Sequence, residues 1–256
     1  MATIVGRAPI AGREDRFFFR AALVMAAVIV AGFSIQLAMG RSSFGAPLRV
    51  HVHALLFFGW VVLYVIQNGL AANRSTWPLH RTLGWLSLAW VPAMMVVGTF
   101  VTVTMVQLGH TPFFFQPAYF LVMNPLTVCT FAGLTAAAIV LRRRTQWHRR
   151  LMFCGMTILL GPAVGRLIPM PLLIPYGGWA VFATILLFPM AGIVRDLRAS
   201  GRVHPAWWWG IGTITVMQAA IDLVTFSPLG VAFYTAVTRG TPGADIAPLA
   251  FPPFPH

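Results

Sequence analysis

Lysine is absent from the chain, and all 18 basic residues are arginine. That excludes Schiff-base chemistry, including a lysine-bound retinal, which a seven-helix membrane protein would otherwise bring to mind. Charge of either sign is scarce: 9% of residues are charged, against about 25% in an ordinary soluble domain. Only two cysteines occur, Cys129 and Cys154, both in apolar runs, which argues against a disulfide or a CxxC metal site. No HxxxH or HxxHH cluster is present, so a metal-dependent lipid hydrolase or desaturase lacks its ligands. No Gly-x-Ser-x-Gly occurs either, and a serine hydrolase is unsupported. What is abundant is apolar surface, at 58% hydrophobic residues. A chain of 256 residues with so little charge cannot cover a water-facing globule, and its place is the lipid bilayer.

Crossing roughly 30 Å of hydrocarbon takes about 20 apolar residues. Seven such runs are found, near 17–39, 51–72, 82–107, 117–141, 151–170, 177–194 and 206–226. The expected architecture is all-α, a polytopic bundle of seven transmembrane helices spanning 17–226, after an N-terminal segment at 1–16. A Pro-rich tail at 227–256 reads as an extended surface segment rather than a domain. The first run is too long for a signal-peptide core of about 7–15 residues. The net charge of +13 does not point to nucleic acid, because the arginines cluster between apolar runs and read as topology signals. With the N-terminus inside, inner segments hold Arg7, Arg13, Arg16, Arg20, Arg74, Arg81, Arg142, Arg143, Arg144, Arg149, Arg150, Arg195, Arg198 and Arg202, and outer ones only Arg41, Arg49 and Arg239. The expectation is a multi-pass protein of the bacterial inner membrane, N-terminus in and C-terminus out. Trp77, Trp147, Trp207, Trp208 and Trp209 fall at the inner boundary, where an aromatic belt belongs.

Polar residues inside the membrane are costly and therefore informative. On the second span His53, Trp60, Tyr64 and Gln67 share a narrow helical stripe, while His51 projects elsewhere. On the fifth, His148 and Arg166 lie five full turns apart on one face, with Gly161-Pro162 between them marking the expected site of bending. Counting rise from the inner end puts Asp222 at the depth of Arg166, and an Arg166–Asp222 ion pair is expected. Together with His53, Asn124 and Gln218 it would form an outward-facing ligand pocket, or a structural pair holding two helices together. On the inner side His80-Arg81 and His148-Arg149 each stand at the start of a span. Two neutral imidazoles at one depth can clasp a haem iron, with Arg81 and Arg149 on the propionates; the alternative is arginine and histidine snorkelling to headgroups. His110, in an outer loop, offers a partner for His53 or His51 in an equivalent outer site, whereas His204 and His256 are expected in water.

The runs His51-Val-His53 through Trp60, His80-Arg81-Thr-Leu-Gly84 and Trp147-His148-Arg149-Arg150-Leu-Met152 resemble a group of uncharacterised bacterial multispan membrane proteins, over about residues 17–170. More distantly, histidines at helix ends on both sides of a bundle are similar to the cytochrome b561 superfamily, which holds two b-type haems and moves electrons across the membrane. What that resemblance implies is haem b on His80 and His148 inside and on His53 and His110 outside. His110 departs from the pattern, because it lies in a loop.

Two further readings stand beside haem-linked electron transfer with a quinone. One is a binder or transporter of a small anionic or amphipathic molecule around Arg166 and Asp222. The other is an accessory subunit of a larger membrane complex.

Overall fold

The computed structural model describes residues 11–253, which form ten α-helices and no strand. They are α1 (Ala11–Ala38), α2 (Leu48–Ala71), α3 (Trp77–Gly84), α4 (Ser87–Gln107), α5 (Pro117–Val140), α6 (Thr145–Ile158), α7 (Gly161–Leu167), α8 (Gly177–Ser200), α9 (Pro205–Thr225) and α10 (Pro228–Thr238). Arg7 and His256 lie outside the described residues. Five stretches are individually long and apolar enough to cross a membrane: Glu14–Ala38, Leu48–Ala71, Trp77–Gln107, Pro117–Val140 and Gly177–Ser200. Two helix pairs, α6 with α7 and α9 with α10, qualify only as bent units, by 45° and 73°. The protein is thus an all-helical membrane protein with five to seven candidate spans.

Each break has a local cause. Pro162 sits in the first turn of α7, where a missing N–H costs nothing, so it starts a new helix rather than kinking an old one. Pro92, Pro125 and Pro189 lie inside α4, α5 and α8, where packed neighbours can satisfy the freed carbonyls. At the 73° turn, Ser227 caps α10 by accepting from the Gly230 N–H at 3.3 Å, and Pro228 follows in the first turn.

α5 is the central rod and touches α4, α6, α9 and α10, while α1 lies along α7 and α2. The core between them is fully buried Trp207, Phe131, Phe153, Met25 and Met94. Large apolar side chains such as Leu55, Val140 and Leu223 are about three-quarters exposed, at 74%, 74% and 75%. On a water-soluble protein they would be a liability; here they form the lipid-facing coat. The stripe on α2 turns inward as its spacing requires, with Trp60 and Tyr64 buried.

Lipid tails are as apolar as leucine, so helices in a bilayer associate through close packing, often at small residues. Gly32 of α1 lies directly on the backbone of α7: a Cβ there would stand 2.7 Å from the Ala163 carbonyl oxygen and 3.0 Å from its Cα. Backbone cannot step aside. Gly32→Val is expected to cost about 1–3 kcal/mol by overpacking, read as a lower unfolding midpoint in detergent. Gly212, where a Cβ would meet nothing within 4 Å, supplies the control: Gly212→Ala leaves the midpoint in place, and an unchanged midpoint for Gly32→Val would show that the two helices do not depend on this contact.

The tail corrects the expectation of an extended segment. Residues 228–238 are helical, and Tyr234 is buried with its hydroxyl donating to the Gly243 carbonyl at 2.7 Å. Gln107 donates to Val237 O at 3.0 Å and Gln116 to Leu249 O at 2.7 Å, so the tail clamps the end of α4 to the start of α5. Proline richness suggested an open chain, yet Pro228 stands where proline favours a helix.

Candidate functional site

Three polar centres emerge. The first, at the ends of α1, α6, α8 and α9, is an ion network. Arg150 of α6 is 3% exposed. Its Nε and Nη2 donate to the two Asp196 carboxylate oxygens at 3.0 and 2.8 Å, and Nη2 also donates to Glu14 at 2.9 Å. Arg195 bridges Glu14 and Asp196, each at 3.0 Å, and Arg149 pairs with Asp15 at 2.9 Å and Glu14 at 3.3 Å. Gln146 joins by donating to Glu14 at 3.0 Å and accepting from Arg150. Three guanidiniums face three carboxylates, and this balance is what permits so much buried charge. The Trp207 indole completes it, donating to Asp196 at 2.9 Å. Trp207 is therefore fully buried rather than part of the belt, while Trp77, Trp208 and Trp209 are exposed. His204 is not simply in water either. Its Nδ1 accepts from the Ala206 N–H at 3.1 Å as the cap of α9, and its ring packs on Trp147. Burial and the nearby Arg150 guanidinium hold its pKa below the usual imidazole value, which keeps Nδ1 free to accept.

The second centre is the inner imidazole pair. His80 on α3 and His148 on α6 meet with ring centroids 6.4 Å apart, nearly perpendicular at 82°. His148 Nδ1 donates to the Ala138 carbonyl at 2.8 Å, so the neutral ring carries its lone pair on Nε2, the orientation a backbone carbonyl gives to metal-binding histidines. His80 Nδ1 is buried without a hydrogen-bond partner, and so is Oε1 of Gln67, the last residue of the α2 stripe. Trp60, Thr111, Thr135 and Thr225 also carry a buried side-chain atom without a partner among the described residues, so it is the meeting of the two rings that sets this pair apart. Of the arginines assigned to this site, Arg81 is exposed on α3, whereas Arg149 pairs with Glu14 and Asp15 through Nη1.

The third region is the expected outer pocket, which the structure divides. Arg166 is exposed in the last turn of α7; it donates to the Pro162 carbonyl at 2.7 Å and lies over the Phe33 ring at 4.3 Å. His53 is close enough to feel that charge and stacks on Phe57 at 4.3 Å. Asp222 lies instead beside Gln218 and Trp179, and Gln218 donates to the Tyr119 hydroxyl at 3.0 Å. No ion pair joins Arg166 to Asp222 among the described residues. The reason is the 45° break between α6 and α7: counting rise gives height, and the bend resets the face. Asn124 is satisfied within α5 by the Phe120 carbonyl at 2.8 Å. His110 is exposed beyond α4, and among the described residues no contact brings it to His53.

Among the described residues no group of three or more His, Cys, Asp or Glu is arranged to hold a metal ion; axial haem ligation needs only two. Cys129 and Cys154 are free thiols. No protein-family model, curated protein or solved structure matches the chain.

Proposed function

We propose that this integral membrane protein binds one b-type haem at its inner end, between His80 and His148, and exchanges electrons there with a membrane quinone. The observation that carries this reading is the pair of rings 6.4 Å apart, one with its Nδ1 anchored and the other with its Nδ1 unpartnered. With metal–nitrogen bonds of about 2 Å, two imidazoles sharing one metal would have ring centres near this separation, so His80 and His148 would be the residues that hold the group. Bound there, haem supplies one-electron redox chemistry. The chain's own part is positional. The Ala138 carbonyl fixes the tautomer of His148, the backbone of Gln67 approaches His80, and the arginine of α3, Arg81, remains for an anionic group at the membrane surface. The outer residues lack this convergence, so the proposal is one haem rather than the two of the cytochrome b561 superfamily.

A route for an amphipathic quinone is supported by an apolar groove of about 660 Å³ between α1 and α8, floored by Phe153 of α6, with Arg16 and Arg20 on its rim. Phe153 stands five residues beyond His148 on the same helix, about 7.5 Å along its axis. The arginine distribution supports an inner-membrane placement with this end in the cytoplasm.

The test is spectroscopic. Protein purified from haem-supplied cells should show Soret and α bands in the reduced-minus-oxidised spectrum. His80→Ala and His148→Ala should each abolish or shift them, and His110→Ala should leave them unchanged. Colourless protein of normal yield sinks the reading.

A further inference from the structure

Outside the inner site, the outer half of the bundle holds a second cavity, of about 380 Å³, bounded by the start of α5, the start of α8, the end of α9 and the tail at Phe251. Seven of its eleven lining residues are aromatic, and Asp222 is its only charged one. The chain has five acids against 18 arginines, and three of those acids are consumed by the inner network. Of the remaining two, Asp245 is exposed and Asp222, half-buried, lines this cavity. No guanidinium lies within ion-pair distance of Asp222 among the described residues, whereas the buried carboxylates of Glu14 and Asp196 are both paired.

Its neighbours are neutral. Gln218 donates to the Tyr119 hydroxyl at 3.0 Å and, with Trp179, hydrogen-bonds the Asp222 carboxylate, and Phe115 stacks on Tyr119 at 5.7 Å and 17°. Trp179 and Phe182 form a perpendicular pair at 5.4 Å, which holds the indole at the cavity wall. Gly178 has no room for a Cβ because the Tyr119 hydroxyl occupies that space, so the α8 backbone itself closes one side. An unpaired carboxylate repels anions. Aromatic faces around it carry negative quadrupoles that attract cations, and such cages are the recurring solution for ammonium groups. The volume falls in the lower part of the range of small-molecule sites.

We infer that this cavity is a binding site for an organic ammonium cation, with Asp222 as the charge partner and Trp179, Tyr119, Phe115 and Phe226 as the aromatic cage. The ammonium can arrive on a free small molecule or on a zwitterionic lipid headgroup, since both present the same chemistry to the site. The inference is independent of the haem reading, which concerns the other end of the bundle.

Full-length protein in detergent is titrated with tetramethylammonium and with choline, following intrinsic tryptophan fluorescence and the unfolding midpoint, with sodium chloride as the ionic-strength control. Saturable binding and a raised midpoint are expected for both probes and not for sodium. Asp222→Asn, which keeps the shape and removes the charge, should weaken binding on the order of tenfold or more. Trp179→Leu should weaken it as well, while Arg166→Gln should leave it intact. Repeating the titration in phosphatidylcholine and in phosphatidylglycerol nanodiscs separates the sources. Loss of choline binding only in phosphatidylcholine assigns the site to a headgroup, and equal binding in both assigns it to a soluble cation. Absence of saturable binding in wild-type protein, or binding that Asp222→Asn leaves unchanged, overturns the inference.

Discussion

Arg150→Ala is expected to lower stability by about 3–5 kcal/mol, the cost of removing one partner from a buried ion pair, and to be the most damaging single charge removal in the protein. The guanidinium serves Asp196 with two nitrogens and Glu14 with one. Deleting it leaves two carboxylates facing each other and Arg195 alone between them. Burial makes the loss large, since Arg150 and Asp196 are each only 4% exposed in their side chains, so water cannot replace the missing donor. Unfolding of detergent-solubilised protein, followed by tryptophan fluorescence, measures the effect. Arg142→Ala, which removes an exposed arginine, is the comparison, and surface substitutions of this kind usually stay within about 0.5 kcal/mol. Equal midpoints for the two variants would show that the network is not a determinant of stability.

Trp207→Ala should cost a comparable amount, about 3–5 kcal/mol for truncating a fully buried tryptophan. The ring stands 5.2 Å from Phe153 and 6.3 Å from Phe18, and the Arg150 guanidinium lies 5.7 Å from its centre. Trp207→Phe separates two contributions: it keeps most of the ring and deletes the N–H bound to Asp196 at 2.9 Å. A hydrogen bond to a charged group is worth about 1.5–3 kcal/mol, so the phenylalanine variant should recover part of the loss but not all. Because both residues lean on Asp196, the double variant with Arg150→Ala should lose less than the sum of the singles. Strict additivity would mean that the indole and the guanidinium act independently, against the geometry.

Much of the architecture was legible because the bilayer demands long apolar runs and the sequence supplies them with few interruptions. The break at Gly161-Pro162 was visible for the same kind of reason, a residue pair that cannot continue a helix unaided. Rotation about the axis was not legible. Counting rise puts Arg166 and Asp222 at one depth, but a pair also needs facing azimuths, and the 45° bend removes the register that carried His148 to Arg166. The tail was misjudged because proline content was weighed without position; Ser227-Pro228 is a cap followed by a first-turn proline. Matched His-Arg steps at two helix starts put His80 and His148 at one depth, and their rings stand 6.4 Å apart. The ion network was missed although its signal was present. In a chain with five acids, Glu14-Asp15 before the first apolar run and Asp196 at the end of another lie on the same side as Arg149-Arg150. Attention to depth inside the spans passed over the flanks, where those charges are.

The same network also orders the protein's biosynthesis. It ties Glu14 to residues 136 and 181 positions later in the chain, so a ribosome delivers α1 long before either guanidinium exists. The first helix must therefore wait with its carboxylates at the bilayer surface while four more helices insert. Only the emergence of α6, and then of α8 and α9, lets the early and late parts of the polypeptide lock together.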